Sequence, residues 1–139
     1  MIELIKDGGV TSAKGFSAGA TYAGLKTEYD TLDLGILLSD RTAKAAATFT
    51  TNNVESPSVT ASRARSDRGV ARGVVANSGC ANCSVGPQGL MDAEEMTELV
   101  ASHVGVGSED LFVARHAPIG NPEPIPFAIA IISGSTLDQ

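Results

Sequence analysis

The chain has 139 residues, of which 42% are hydrophobic and 19% charged, with 15 Gly and 6 Pro. That apolar fraction excludes a disordered or low-complexity polypeptide, and the length suits one domain of about 100 to 150 residues. Lys and Arg number 10 against 16 Asp and Glu, a net charge of −6. Arg63, Arg65, Arg68 and Arg72 lie scattered through a polar stretch with no aromatics between them. Nucleic acid, which is bound by neutralising phosphates, is therefore not an expected partner. No membrane contact is expected either, because the longest apolar run, Phe127 to Ile132, falls far short of the roughly 18 residues a crossing needs. Met1 to Asp7 mixes charges into the place where a signal peptide carries its apolar core, so the expected location is cytoplasmic.

In chain order, Leu32 to Leu38 reads as the first strand, apolar and bounded by turn residues. Ser39-Asp40-Arg41-Thr42 then reads as a short polar connection into a second strand, Ala46 to Thr51, in an antiparallel hairpin. A helix is predicted over Ser58 to Arg65, and further strands over Gly73 to Ala76 and Leu111 to Ala114. Leu90, Ala93, Met96, Leu99, Val100 and Val104 recur at spacings of three and four, which predicts a helix from Gly89 to Val104. Glu94, Glu95 and Glu98 fall near its acid-favouring start, and Gly105 supplies a left-handed stop. Four Phe, two Tyr and no Trp leave a core of Ala, Val, Leu and Ile, suited to packed sheet and helix layers. With no internal repeat and no linker, the expectation is an α/β arrangement with one core, residues 1–139 forming a single domain. Pro122, Pro124 and Pro126 forbid a regular helix after Gly120, and 121–139 reads as a divergent tail.

Candidate chemistry is sparse. Cys80-Ala81-Asn82-Cys83 has the spacing of half a zinc site or of a redox pair, yet His103 and His116 stand at no interval a zinc site uses. Small residues packed in a Gly-rich loop explain the pair, so no metal and no cofactor is expected. Gly105-Val106-Gly107 follows a helix instead of a strand, and Asp110 takes the place of a third glycine, so it is no nucleotide fingerprint. Asn82-Cys83-Ser84 matches a glycosylation sequon, which means little without an export signal. His103 lies late on its helix, where a cation near the carboxyl end is mildly favourable. Asn77 to Asn82, directly after a strand, is richer: such a segment presents backbone amides to a ligand or simply makes a tight turn, and the residues alone leave both readings open.

The order of several motifs resembles the amino-terminal part of the ornithine acetyltransferase family, the bifunctional glutamate N-acetyltransferases of arginine biosynthesis. They are Val10-Thr11-Ser12-Ala13-Lys14-Gly15-Phe16, Asp33-Leu34-Gly35-Ile36-Leu37-Leu38-Ser39-Asp40, Phe49-Thr50-Thr51-Asn52, Val74 to Asn82, and Gly86-Pro87-Gln88-Gly89-Leu90-Met91-Asp92-Ala93. The resemblance runs from about Val10 to Ala114, with Ile119, Gly120 and Pro122 fitting further on. It implies an α+β layered sheet-and-helix fold, incomplete in this chain alone. It also implies an enzyme of two chains made by self-cleavage, in which a threonine opening the second (beta) chain is the nucleophile and its own amino group the base. Acetyl passes from N-acetylornithine to glutamate through an acetyl-threonine intermediate, and some members also accept acetyl-coenzyme A. The expected partners are that second chain and the two small-molecule substrates, within an oligomer.

The family's oxyanion-stabilising Thr-Gly pair aligns with His116 and Ala117, both substituted, between Arg115 and Pro118. An imidazole N–H can replace a hydroxyl donor and Ala117 keeps its backbone N–H, although Pro118 constrains the residue before it. Similarity fades from Arg115, as a truncated, frame-shifted or naturally short relative would show. The isolated chain is expected to be inactive. The alternative is a non-catalytic binding or assembly domain that retains the fold.

Overall fold

The computed structural model describes residues 5–26 and 31–116. The order of elements is β1 (Phe16–Thr21), β2 (Leu34–Lys44), α1 (Pro57–Ser66), β3 (Val70–Ser78), α2 (Pro87–Val104), a 3-10 turn (Ser108–Asp110) and β4 (Leu111–His116). The sheet runs β1-β2-β3-β4, antiparallel at its first two pairings and parallel between β3 and β4, with α2 as the crossover.

Register builds three rows across β2, β3 and β4 that face the helices: Leu38, Gly73 and Leu111; Ile36, Val75 and Val113; Leu34, Asn77 and Arg115. Strand alternation puts Leu37, Val74 and Phe112 on the other side. The core cluster joins Leu34, Ile36, Val75, Leu111 and Val113 to Ala61 of α1 and to Ala93, Met96, Val100 and Ala101 of α2. Leu111, Val75 and Val100 are the largest apolar side chains fully removed from water.

Both helices fall where the periodicity places them, with boundaries moved outward by a residue or two. Ser56 caps α1, its hydroxyl accepting from Val59 N at 3.3 Å, and Pro57 opens the first turn. Gly105 ends α2 in the left-handed region at φ 72°. Because α2 begins at Pro87, Glu94, Glu95 and Glu98 lie beyond its first turn. Glu94 instead pairs with Arg65, which also donates to Thr97 Oγ1 at 2.8 Å and so joins α1 to α2.

The strands differ more. The expected hairpin at Ser39 to Thr42 does not form: β2 runs straight through it to Lys44, and Ala46 to Thr51 is not a strand. The cause is tertiary, since β3 pairs with both halves of β2, through Leu38↔Gly73 and, past an irregularity in register, Ala43↔Ala71. Gly73 belongs at that irregularity, because a Cβ there would stand 2.3 Å from the Leu37 carbonyl oxygen. β1 was not expected, because between Phe16 and Thr21 its Ser-Ala-Gly-Ala has only small residues of low strand propensity. The tail at 121–139 lies outside the described residues.

Candidate functional site

β3 and β4 run parallel and end side by side, and the carboxyl ends of such strands are where α/β folds place ligands. β3 empties there into the Asn77 to Asn82 loop, most of which is held by hydrogen bonds. Ser78 N donates to the Asp33 carbonyl at 2.7 Å, and Gly79 N to the His116 carbonyl at 2.8 Å. Gly79 has φ +124°, and a Cβ on it would approach the Leu25 carbonyl oxygen to 2.9 Å, so the turn requires glycine. Asn77 Nδ2 holds the Cys80 carbonyl at 2.9 Å. Asn82, 1% exposed, donates from Nδ2 to Gly89 O at 3.0 Å and accepts from Ser58 Oγ at 3.0 Å, linking the loop to both helices.

Beneath the loop, the buried Asp33 carboxylate gathers three amides, from Ala23 at 2.6 Å, Leu25 at 2.8 Å and Lys26 at 3.1 Å. It thereby fixes the segment against which Gly79 packs.

Arg115 is the residue that reading the sequence for motifs missed. It follows Val113 by two positions, so strand alternation turns it toward the helices, and its side chain is only 2% exposed. Nη2 donates to Cys80 Sγ at 2.9 Å and Nη1 stands 3.6 Å from Asp92 Oδ2. Among the described residues its Nε and Nη1, and Oδ1 of its register partner Asn77, make no hydrogen bond. Arg115 also borders a cleft of about 290 Å³ along the outer side of β4, with Phe49, Val59, Ser62 and Phe112.

The expected site residues divide at the border of the described segment. His116 closes β4 opposite Ser78, its side chain exposed and its carbonyl committed to Gly79. Ala117 lies outside the described residues. Cys80 is buried, as a small packed residue should be, and holds Arg115; Cys83 is half-buried, and no disulfide joins the two. Among the described residues no three His, Cys, Asp or Glu side chains are grouped to hold a metal, and no helix is long and apolar enough to cross a membrane. His103 is exposed near the end of α2.

Fold and site together define a class: an α+β module of one mixed sheet with two helices, carrying a pinned polar loop at the ends of its parallel strands. Within that class, residues 17–136 match the ArgJ family model, and the chain belongs to the ArgJ family. It is 40% identical over 125 residues to the arginine biosynthesis bifunctional protein ArgJ of Dehalococcoides mccartyi, covering 89% of this chain and 31% of that protein. To the protein of the same name from Geobacter sulfurreducens it is 38% identical over 135 residues, 92% of this chain and 34% of the relative. The chain thus spans about a third of the length of the curated relatives it matches.

Among solved structures it resembles the arginine biosynthesis bifunctional protein ArgJ of Bacillus halodurans, with a TM-score of 0.89 at 29% identity over 96% of this chain and 70% of that one. It also resembles the ornithine acetyltransferase of Mycobacterium tuberculosis, solved with ornithine, with a TM-score of 0.84 at 30% identity, covering 94% of this chain and 70% of that one.

Proposed function

We propose that this chain is the first-chain part of a cytoplasmic glutamate N-acetyltransferase of arginine biosynthesis, working with a second chain that brings the nucleophile. The family match over residues 17–136 carries the reading. Coverage adds support to the two-chain form: the chain spans 70% of each crystallised relative but only 31–34% of the curated ones, so those crystallised chains are about half as long as the curated relatives.

In this reading a threonine hydroxyl of the second chain attacks the acetyl carbonyl of N-acetylornithine, and the threonine's own amino group takes the proton. Ornithine leaves, and the acetyl-threonine ester passes its acetyl group to the amine of glutamate. This chain's part is to present donors where the carbonyl oxygen gains charge, at the end of β4. The Gly79–His116 hydrogen bond supports the assignment by fixing the main chain just before Ala117.

His116 and Ala117 stand where the family carries Thr and Gly, and loss of one aimed donor costs about 3 kcal/mol of transition-state stabilisation, roughly a hundredfold or more in rate. That substitution favours a second reading, a binding or assembly domain that keeps the fold without the chemistry. One experiment separates them: co-express the chain with the unmatched remainder of the Dehalococcoides mccartyi relative and follow acetyl transfer from N-acetylornithine to glutamate. Activity that rises on changing His116→Thr with Ala117→Gly supports the enzyme reading. A stable complex that stays inactive after both changes supports the assembly domain. Activity of the 139-residue chain alone would overturn the assignment of the nucleophile to a second chain.

A further inference from the structure

Two adjacent residues end β4, and they are held in different ways. His116 is tied through its main chain, its carbonyl accepting from Gly79 N at 2.8 Å. Arg115 is tied through its side chain, which strand alternation turns toward the helices. From there the guanidinium reaches two other elements. Nη2 donates to Cys80 Sγ at 2.9 Å in the loop after β3, and Nη1 faces Asp92 Oδ2 at 3.6 Å in the second turn of α2. The loop itself is fastened at both ends, by Asn77 Nδ2 on the Cys80 carbonyl and by Asn82 Nδ2 on Gly89 O of α2. Cys80 is also buried, so the sulfur that Arg115 grips is a fixed point.

Burying a guanidinium is expensive, and the return in stability is small here, because among the described residues Nε and Nη1 make no hydrogen bond. What the arrangement supplies is a set distance between the strand end and the loop and helix around it. A single main-chain bond at His116 leaves the strand end able to pivot. A side-chain tie one residue earlier, to other elements, removes that freedom. We infer that Arg115 is a positioning residue, whose grip on Cys80 sets the place of the His116 main chain. Its consequence for catalysis rests on the acetyl-transfer reading, in which the donors at His116 and Ala117 must stay aimed at the oxygen that gains charge.

The test is amide exchange of the 139-residue chain, wild type beside Arg115→Met, Cys80→Ala and Cys80→Ser. Gly79 N–H reports the strand end, and Ser78 N–H, bonded to the Asp33 carbonyl, is the internal control. Relative to Ser78, exchange at Gly79 should quicken roughly tenfold in Arg115→Met and in Cys80→Ala. Cys80→Ser loses the sulfur's volume but keeps an acceptor, so it should stay near wild type, as a mere packing role for Cys80 would not allow. Gly79 exchange unmoved in Arg115→Met, or Cys80→Ser behaving as Cys80→Ala, overturns the inference. Should Arg115→Met fail to fold, the two Cys80 variants decide. Co-expressed with the unmatched remainder of the Dehalococcoides mccartyi relative, Arg115→Met should lower kcat for acetyl transfer roughly tenfold or more at an unchanged KM. An unchanged kcat also overturns the inference. Absence of transfer by the wild-type complex counts against the acetyl-transfer reading alone, and the exchange result then decides for Arg115.

Discussion

Two arginines are buried in this molecule, and they are treated unequally. Arg65 in α1, its side chain 8% exposed, has a carboxylate from Glu94 and a hydroxyl from Thr97, both on Nη2, while its Nη1 has no hydrogen bond among the described residues. Arg115 at the end of β4, 2% exposed, has a thiol on Nη2 and a carboxylate 3.6 Å from Nη1, and neither Nε nor Nη1 makes a hydrogen bond among the described residues. Burial pushes the Arg65 pKa down, and Glu94, then Glu109 and Glu98, pull it back, so it stays charged. The first arginine is a joint between two helices. The second is a less compensated charge beside the Asn77 to Asn82 loop, and incomplete satisfaction of buried groups is characteristic of functional places more than of structural ones.

The largest expected effect tests the joint. Breaking a buried pair by removing one partner costs about 3–5 kcal/mol, and because water reaches Glu94, which is 44% exposed, Glu94→Ala should cost about 2 kcal/mol. Urea unfolding measures it; a midpoint unmoved from wild type would leave Arg65 no stronger a fixture than a surface charge. Next comes Cys80→Ala, which takes from Arg115 the acceptor of its one side-chain hydrogen bond among the described residues and should cost about 1–2 kcal/mol in the same assay. Smaller still is Arg115→Met, which removes the incompletely bonded donors along with the charge. It should leave stability within about 1 kcal/mol of wild type or raise it, as replacing poorly compensated buried charges often does. A loss as large as that of Glu94→Ala would erase the distinction between the two arginines.

The contrast also explains what the sequence disclosed. α2 was legible because a helix buries a stripe, and its Leu, Ala, Met and Val spacing repeats that stripe until Gly105 stops it. β3 and β4 were legible at their apolar centres and cut short at their polar ends. β2 was misread beyond Leu38, because Ser-Asp-Arg-Thr has turn chemistry and is held as strand only by β3, distant in sequence. β1 carries almost no apolar signal, and its strand state comes from pairing with β2. At the site, the Asn77 to Asn82 loop declared itself as a strand emptying into small polar residues, whereas Arg115 did not. The signal for Arg115 was available in its two-residue spacing from Val113, but an arginine there reads as the end of a strand until Cys80 and Asp92 are brought around it.

A third pair sets the lower end of the scale. Arg41 and Asp40 sit on the surface half of β2, with Nε and Oδ1 2.8 Å apart and side chains 80% and 52% exposed. The hydrogen bond from Arg41 holds the Asp40 carboxyl below its ordinary value of 3.8, against an opposing effect of desolvation and with a further pull from the charges of Arg41 and then Arg72. A carboxylate whose pKa is depressed by folding stabilises the native state above its ordinary value, and that contribution fades as pH falls through the folded value. Solvent surrounds both groups, so salt screens the attraction. Titrating Asp40 by NMR should give a midpoint below 3.8 at low ionic strength that moves up on adding salt, while Asp40→Asn leaves the unfolding midpoint at pH 7 where it was. A midpoint indifferent to salt would mean that Asp40 is governed by something other than its exposed arginine, and the graded series from Arg65 through Arg115 to Arg41 would lose its lowest step.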